Sequence, residues 1–505
     1  MKNVLLSFVY SLSFLTIYAG GWNTNTNISG SFCRNAAKSA TLETDAAFFC
    51  PAAVTFLPEG LHLSISTATL IAKQEVTNSY PYMNVHKFNG DITAPVFPII
   101  MLAYHKNRWG VSGLIYPYGA GGGGKYLKGL PSFEIAVANM VPEMSDALSM
   151  LDVAKPLLGY KPSQIDDYKA NISFYGADVK VGAGIDVSYK LTDWLSVSYG
   201  IKLVYGFGWV DGGLKNMEVH TPKGWMKPGD YLRAINNDLG ILGQAASTFG
   251  IADLVEEARK LDSLTSDKTV DVSQSGFTIL PLCVSVSIKP NEKLNIGFKY
   301  QMGGKYENVN NTRMDNTNAY PDNARVRNDL PSYLAIGGQY KFTNKLSGFI
   351  SFEYYFERQS NFQMVAPVFD NDTITYEVVD NSYITTSNPI FLSFALEYQI
   401  TPKLLISGTY VYSKLYPVQN VAPTERNPNA DSHSGGLGIR YNFKRFSVDL
   451  GVFTNQQMYY YRDYKLAAPN GSDSKYIDVK EEYAGSLWMF GIGINYQFKN
   501  KSKKV

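Results

Sequence analysis

The side chains able to carry chemistry in this sequence are few, and their spacing does not suit catalysis. There are five histidines, His62, His86, His105, His220 and His433, and no Gly-x-Ser-x-Gly motif. His86 and His433 fall in connecting segments where a carboxylate could meet them, but no spacing suggests a nucleophile and its base. No His/Cys spacing matches a metal site, so neither a metal, a cofactor nor an enzyme is expected. Of the three cysteines, Cys33 and Cys50 lie seventeen positions apart and Cys283 is left over. In an exported chain both a Cys33–Cys50 disulfide and two buried free thiols fit that pattern. What remains is binding chemistry, set by where the cations Lys180, Lys202, Lys299 and Arg440 fall in the fold.

Composition narrows that fold. Aromatic residues make up 14% of the chain, with 36 Tyr and 27 Phe, against 18% charged residues and 43 Gly. Mean hydropathy is only −0.15, so apolar and polar residues are interleaved rather than blocked. The net charge of +2 includes no basic stripe, and no nucleic-acid partner is expected. The single basic run, within 499–505, reads as a solvated tail.

At the start, Lys2 precedes the uncharged stretch Val4 to Ala19, followed by the small residues Gly20 and Gly21. This is the pattern of a secretory signal peptide over residues 1–20, because a spanning helix needs about 20 apolar residues. No later stretch is that long. A chain of this kind in a membrane must close into a barrel to satisfy its backbone groups.

A recurring phrase supplies the staves. It reads AYHKNRWGVSGLI from Ala103, SYKLTDWLSVSYG from Ser188, SIKPNEKLNIGFK from Ser287, QYKFTNKLSGFIS from Gln339, EYQITPKLLISGT from Glu397 and RYNFKRFSVDLGV from Arg440. Each is an alternating run, a few turn residues and a second alternating run, which is a tight β-hairpin. Six hairpins, one run before them (Gly60 to Val76) and one after (Tyr483 to Phe498) predict fourteen strands, an all-β antiparallel transmembrane barrel over residues 60–498. Alternation is close to strict: Leu195, Val197, Tyr199, Ile201 and Leu203 take one face, Ser196, Ser198, Gly200 and Lys202 the other. A soluble β-sandwich also alternates. However, the runs are long, and Tyr104, Tyr189, Tyr340, Tyr398, Tyr441 and Tyr496 gather at one end as an interfacial girdle does. Connections are short at that end and long at the other, the outer-membrane pattern of a Gram-negative cell.

Seven outer loops follow, near 77–92, 120–175, 211–275, 306–330, 359–387, 417–434 and 461–483. The second and third contain amphipathic helical stretches, Pro131 to Leu158 and Tyr231 to Leu261. Leu239, Leu242, Phe249 and Leu254 lie on an apolar stripe that either packs on the rim or forms a greasy ligand-collecting groove. Residues 21–59 are too irregular for staves, and Ala46 to Gly60 is apolar enough to fold into the lumen as a plug. Strand phases point Lys180, Lys202, Lys299 and Arg440 inward. Lys202 is expected opposite Gly182 and diagonal to Lys180, an anion-binding pair unless Asp186, Glu353, Glu397 or Asp449 neutralise these cations.

With plug, fourteen strands and helical outer loops, the chain resembles the FadL/TodX family of outer-membrane transporters for long-chain fatty acids and hydrocarbons, over its whole mature length. The family's plug ends near Asn-Pro-Ala; here Cys50-Pro51-Ala52 stands in its place, with Cys for Asn. The resemblance implies transport of a hydrophobic small molecule by a monomer bathed in outer-membrane lipid. Its route would be an outer-loop groove, the plugged lumen and a lateral exit at the third strand. In that strand Pro117, Gly119 and Gly121 weaken pairing. A sideways exit suits such cargo. At ~0.8 kcal/mol per buried CH₂, a sixteen-carbon tail would face roughly 11–12 kcal/mol on entering water. The competing expectation is a surface barrel of structural or adhesin type with no conduit.

Overall fold

The computed structural model describes residues 29–94, 96, 98–121, 124–240, 253–317, 320–361, 364–370, 373–379, 385–416, 430–469 and 475–498. The expected signal peptide (1–20) and basic tail (499–505) lie outside these residues. Fourteen staves form the wall: β1 (Gly60–Asn78), β2 (Ile99–Lys106), β3 (Trp109–Gly121), β4 (Asp167–Lys190), β5 (Leu195–Thr221), β6 (Lys268–Ile288) and β7 (Leu294–Gln301), then β8 (Tyr333–Lys341), β9 (Leu346–Tyr355), β10 (Ile390–Gln399), β11 (Leu404–Lys414), β12 (Ser432–Asn442), β13 (Phe446–Gln457) and β14 (Tyr476–Gln497). Each pairs antiparallel with the next. The last closes on the first, from His62↔Gln497 to Asn78↔Glu481. This is the closed fourteen-stranded barrel that the alternation predicts.

The two faces separate as expected. On β5, Ser196, Ser198 and Lys202 are buried, while Tyr199, Ile201, Leu203 and Tyr205 are exposed on the outside. Near the short turns Tyr104, Tyr340, Tyr398 and Tyr441 are exposed together, and Phe443 stacks on Phe446 at 4.2 Å. Those rings form an interfacial belt.

The long connections differ from expectation, because several staves continue far past the membrane. β5 has 27 residues and β4 has 24, against the ~9–11 a crossing requires. Segments 167–175, 211–221 and 268–275, expected as loop, are therefore strand. Alternation persists in them, but its polarity inverts. Phe174, Ile172, Val210, Leu214, Val270 and Val272 are buried on the inner face, whereas Lys169, Asn171, Ser173, Asp211 and Lys215 are exposed outside. Below Trp209 the wall is apolar outside and polar inside; above it the reverse holds. The inner face of this upper wall needs an apolar partner, and the outer helices supply one. Helices Pro131–Ala138, Met140–Leu148, Pro228–Leu239 and Leu254–Leu264 contribute Phe133, Val137, Met144, Tyr231, Leu232, Ile235 and Leu261 to one shared core. Asp253 caps the last of these helices, its side chain accepting from Val255 N and Glu256 N.

The inversion gives a direct expectation. Ile201→Arg, near mid-membrane on the outer face, should destabilise the refolded barrel by about 2–4 kcal/mol. Ser173→Arg, on the same face above the inversion, should change stability by no more than ~0.5 kcal/mol. Denaturant midpoints of the two variants check both values.

Candidate functional site

The lumen holds residues 29–57, and their hydrogen bonds reach staves on every side. Gly30 N donates to Ser66 Oγ of β1 at 2.8 Å, Ser39 N to Ser351 Oγ of β9 at 3.0 Å, and Ala36 N to Thr409 Oγ1 of β11 at 3.1 Å. Across the barrel, Ala52 N donates to Ser285 Oγ of β6 at 2.8 Å, and Ser188 Oγ of β4 donates to Pro51 O at 2.7 Å. The short helix Gly30–Arg34 lies flush on the wall because Gly451 and Gly491 have no side chains. A Cβ at Gly491 would stand 2.8 Å from Gly30 Cα.

Arg34 is the centre of this arrangement. Its side chain is 0% exposed; Nε donates to Asp449 at 2.7 Å, and the guanidinium also pairs with Glu397 and Glu43. Arg440 of β12 binds the same Asp449 at 2.8 Å and the same Glu43. Lys38 pairs with Glu43 at 2.7 Å and Asp45 at 3.0 Å. Three cations thus share four carboxylates drawn from the luminal segment and the wall. Burial alone would raise the Glu43 carboxyl, but Arg440, Lys38 and Arg34 hold it well below the usual carboxylate range.

The expected binding residues are placed as follows. Lys180, Lys202, Lys299 and Arg440 all point inward, as the strand phases require. The expected Lys180–Lys202 anion pair does not form. Lys202 stands opposite Gly184, not Gly182, and Lys180 opposite Gly206. Five residues, 191–195, separate the paired Lys190 and Ser196 where the expected register leaves three, which moves the register by two. Each lysine has its own acid instead, Lys180 with Asp178 at 2.5 Å and Lys202 with Asp186 at 2.6 Å. Lys299 differs. Among the described residues it has no carboxylate partner; it donates to Phe48 O at 2.6 Å and lies 5.2 Å from the Phe48 and Tyr333 ring centres.

Cys33 and Cys50 are free, so the disulfide is not made. Cys33 sits against Gly451 of β13, whereas the Cys50 thiol faces Val286 O of β6 at 3.5 Å. These walls lie on opposite sides of the barrel. Cys50, Pro51 and Ala52 form the start of a 3₁₀ turn, Pro51–Phe56, held against β4 and β6. Leu239 and Leu254 are buried in the outer core; Leu242 and Phe249 lie outside the described residues.

The third stave departs from the wall. Alternation holds to Ile115, after which Tyr116, Pro117, Tyr118 and Gly119 are all buried in succession. The last pair with β2 is Ile100↔Ile115, and among the described residues Tyr116–Gly121 pair only with β4. The ladder to β4 slips between Pro117 and Ala120, and Gly119 takes φ +73°. Pro117 offers no N–H and Gly119 no side chain, so the strand bends inward here. Tyr118 OH accepts from Gln301 Nε2 on β7 at 2.9 Å, and Tyr116 meets the edge of Phe48 at 4.9 Å. The second stave is interrupted at the same height. Lys87–Ala94 continues it above Pro98, paired to β1 and joined to Lys125–Tyr126, which rejoins β4. Between Ile100–Ile115 below and Asp91–Lys125 above, β2 and β3 share no ladder among the described residues.

Residues 161–498 match the family described as outer membrane protein transport protein (OMPP1/FadL/TodX). The chain belongs to this family. It is a barrel of the Gram-negative outer membrane. Among solved structures, a Pseudomonas aeruginosa FadL homologue aligns with TM-score 0.62 at 14% identity, covering 95% of this chain and 100% of that one. The Pseudomonas putida toluene transporter TodX gives 0.51 at 12%, covering 90% and 94%, and the Ralstonia pickettii toluene transporter TbuX 0.50 at 13%, covering 93% and 98%. At these identities the likeness concerns the fold. No curated protein matches by sequence.

For this FadL/TodX-family chain, sequence reasoning missed Arg34 and Glu43. The usable signal is that Arg34, Lys38, Glu43 and Asp45 stand in a segment otherwise meant to be buried, where charges require partners. Arg34→Met would take from Glu397 its ion pair and leave Asp449 to Arg440 alone, and should cost about 3–5 kcal/mol. Adding Glu397→Gln and Asp449→Asn should recover part of that loss, read from unfolding midpoints. Because the Glu43 carboxyl is held low, its contribution is complete above its unfolded value of about 4.3 and fades only as pH falls below that. Protease resistance of residues 29–45 should therefore be flat from pH 8 to 6 and drop in stronger acid.

Proposed function

We propose that this protein takes up hydrophobic small molecules through the outer membrane and releases them sideways, between the second and third staves, into the bilayer. The observation that carries the reading is the inward bend at Tyr116–Gly119, which leaves β2 and β3 without a ladder directly beside a plugged lumen. An unpaired stretch of wall costs backbone hydrogen bonds in lipid, so a gap built from Pro117, Gly119 and a second interruption at Pro98 calls for a use. The relatives TodX and TbuX are toluene transporters, in keeping with an apolar cargo. Of the expected plug 21–59, residues 21–28 lie outside the described residues; residues 29–59 act as the plug and residues 60–498 as the barrel, working as a monomer in outer-membrane lipid.

Entry begins at the outer helices. Met150, Val153 and Leu157 are 65%, 85% and 58% exposed along the segment 149–158, an apolar strip that suits a first landing place. Inside, Phe48, Phe49, Tyr116, Tyr118, Leu280 and Leu330 belong to one buried apolar cluster where the plug meets the wall. Lys299 supplies the anchor for a polar head. It is 3% exposed and already sheds water onto one neutral carbonyl, so a carboxylate would bind it more strongly than Phe48 O does.

Cells lacking the protein should lose uptake of long-chain fatty acid or monoaromatic probes, and re-expression should restore it; equal uptake with and without the protein would refute transport. Pro117→Val with Gly119→Val, which favours a continuous strand, should reduce uptake to the deletion level while keeping the heat-modifiable barrel. Lys299→Met should weaken uptake of a carboxylate amphiphile by roughly 10–100-fold, the worth of a charge-assisted hydrogen bond, and leave a neutral hydrocarbon within about twofold.

A further inference from the structure

The lipid-facing side of the wall from β8 to β12 is hollow rather than smooth. Three of its outward positions are glycine: Gly338 on β8, Gly348 on β9 and Gly408 on β11. The register sets them among large apolar residues. Tyr340 pairs with Gly348, Gly348 with Leu396, Leu396 with Gly408 and Gly408 with Leu437, so bulk and bare backbone alternate along one row. Gly338 lies one row further from the turns, beside Ile350. Leu396 and Leu437 are 57% and 72% exposed and stand up on either side of Gly408. The result is a groove of 870 Å³, with Tyr410 also on its wall. That volume lies within the range of roughly 300–1,000 Å³ found for small-molecule sites. Because the row runs through Tyr340 of the interfacial belt, the groove opens in the half of the membrane that faces the periplasm.

Directly beneath it the short turns are cationic. Lys293, Lys341, Lys345, Lys403, Lys444 and Arg445 are all exposed around the feet of β7 to β13. Backbone bonds place several of them side by side: Lys341 N donates to Lys293 O at 2.9 Å, Gln399 N to Lys345 O at 2.8 Å and Asn442 N to Lys403 O at 2.7 Å. The acid in these turns is Glu292, which pairs with Lys289 at 3.2 Å. Among the described residues none of the six cations forms an ion pair. The turn between β4 and β5, residues 191–194, instead carries Asp193 and no cation. Long basic side chains at this height bring their charge to the level of lipid phosphates.

Hydrocarbon alone would not hold an occupant here. A chain that leaves the bilayer for the groove exchanges one apolar neighbour for another, so the hydrophobic effect contributes little. Residence needs packing in the hollow together with an anchored head, and the two features stand one above the other. A second copy of the chain would bring like charges together at the same rim, which disfavours it. An acidic soluble protein could reach the rim but not the groove.

We propose that the groove between β8 and β12 holds an acyl chain of an anionic phospholipid of the periplasmic leaflet, with its phosphate among Lys293, Lys341, Lys345 and Lys403. The site lies away from the unpaired stretch between β2 and β3, and it does not depend on the transport reading.

Native mass spectrometry of the purified barrel in neutral-detergent micelles tests this with lipids of stated composition. Dioleoyl phosphatidylglycerol should be retained, and dioleoyl phosphatidylcholine, with the same chains, at least about tenfold less. Glycerol phosphate, which has the head but no chains, should not be retained. Lys341→Gln with Lys345→Gln should lower phosphatidylglycerol binding roughly 25-fold, at about fivefold per cation near a headgroup surface. Gly338→Leu with Gly408→Leu fills the groove and leaves the cations in place, and should lower binding at least about tenfold. Side chains added there first meet the ends of Ile350 at 3.6 Å and Leu437 at 3.3 Å, and heat-modifiable mobility reports that each variant is folded. Lys106→Gln with Arg108→Gln, at the turn between β2 and β3, should change binding by no more than about twofold. Equal retention of phosphatidylcholine, full binding by the groove-filled variant, or glycerol phosphate held as well as the lipid would overturn the proposal. So would a dimeric parent that the groove-filling pair makes monomeric, because a second copy would then be the occupant.

Discussion

Hydrocarbon offers a backbone no hydrogen bonds, and that deficit dictates this architecture. Every N–H and C=O at membrane depth must be met by another stave, so the sheet closes and β14 must find β1. A tolerated exception then becomes informative. Where Pro117 and Gly119 stand, the ladder between β2 and β3 stops, and the strand turns to the lumen, where Gln301 and Phe48 receive its tyrosines. The exception is confined on both sides, by Ile100↔Ile115 below and by the Lys125–Tyr126 bridge above. The wall has been given a defined discontinuity at this point.

The same low dielectric governs the interior. Lys180, Lys202, Arg34 and Arg440 are each matched with carboxylates, because an unmatched buried charge is costly. Such pairs are weak evidence for net stability, since apolar replacements often do as well. Their stronger effect is on position: a guanidinium shared by two staves and a luminal acid has one place to be. Lys299 is the described inward cation that deviates from this rule, and it lies beside the discontinuity.

Barrel and lumen differ in how far the sequence discloses them. Period-two alternation is local, so each hairpin phrase declares two staves without reference to the others, and the inward and outward faces of β5 or β14 follow at once. The Pro117–Gly119 weakness is legible for the same reason, being a property of single residues. The Arg34–Glu397 contact is not. Its partners are separated by 363 positions, and no local rule connects them. The register of Lys202 departs from expectation on a smaller scale, because turns that leave five or three residues between paired positions look alike until the pairing is seen. Loop is the expectation for the upper staves although Tyr168 to Phe174 alternates and Val210, Leu214, Met217 and Val219 are all buried. Their apolar residues face the opposite way, and periodicity reports only that faces differ, not which faces inward.

That reversal has a mechanical consequence. A stave that is apolar outside below Trp209 and polar outside above it carries its own depth mark. Sliding the barrel outward by two residues would lift Phe207 and Tyr205 towards water, and sliding it inward would drag Asp211 and Lys215 into hydrocarbon. Staves β4, β5 and β6 bear the same mark side by side, so the protein is gauged against the bilayer along one flank. The unpaired stretch between β2 and β3, next to that flank, is thereby kept at a constant height relative to the lipid it faces.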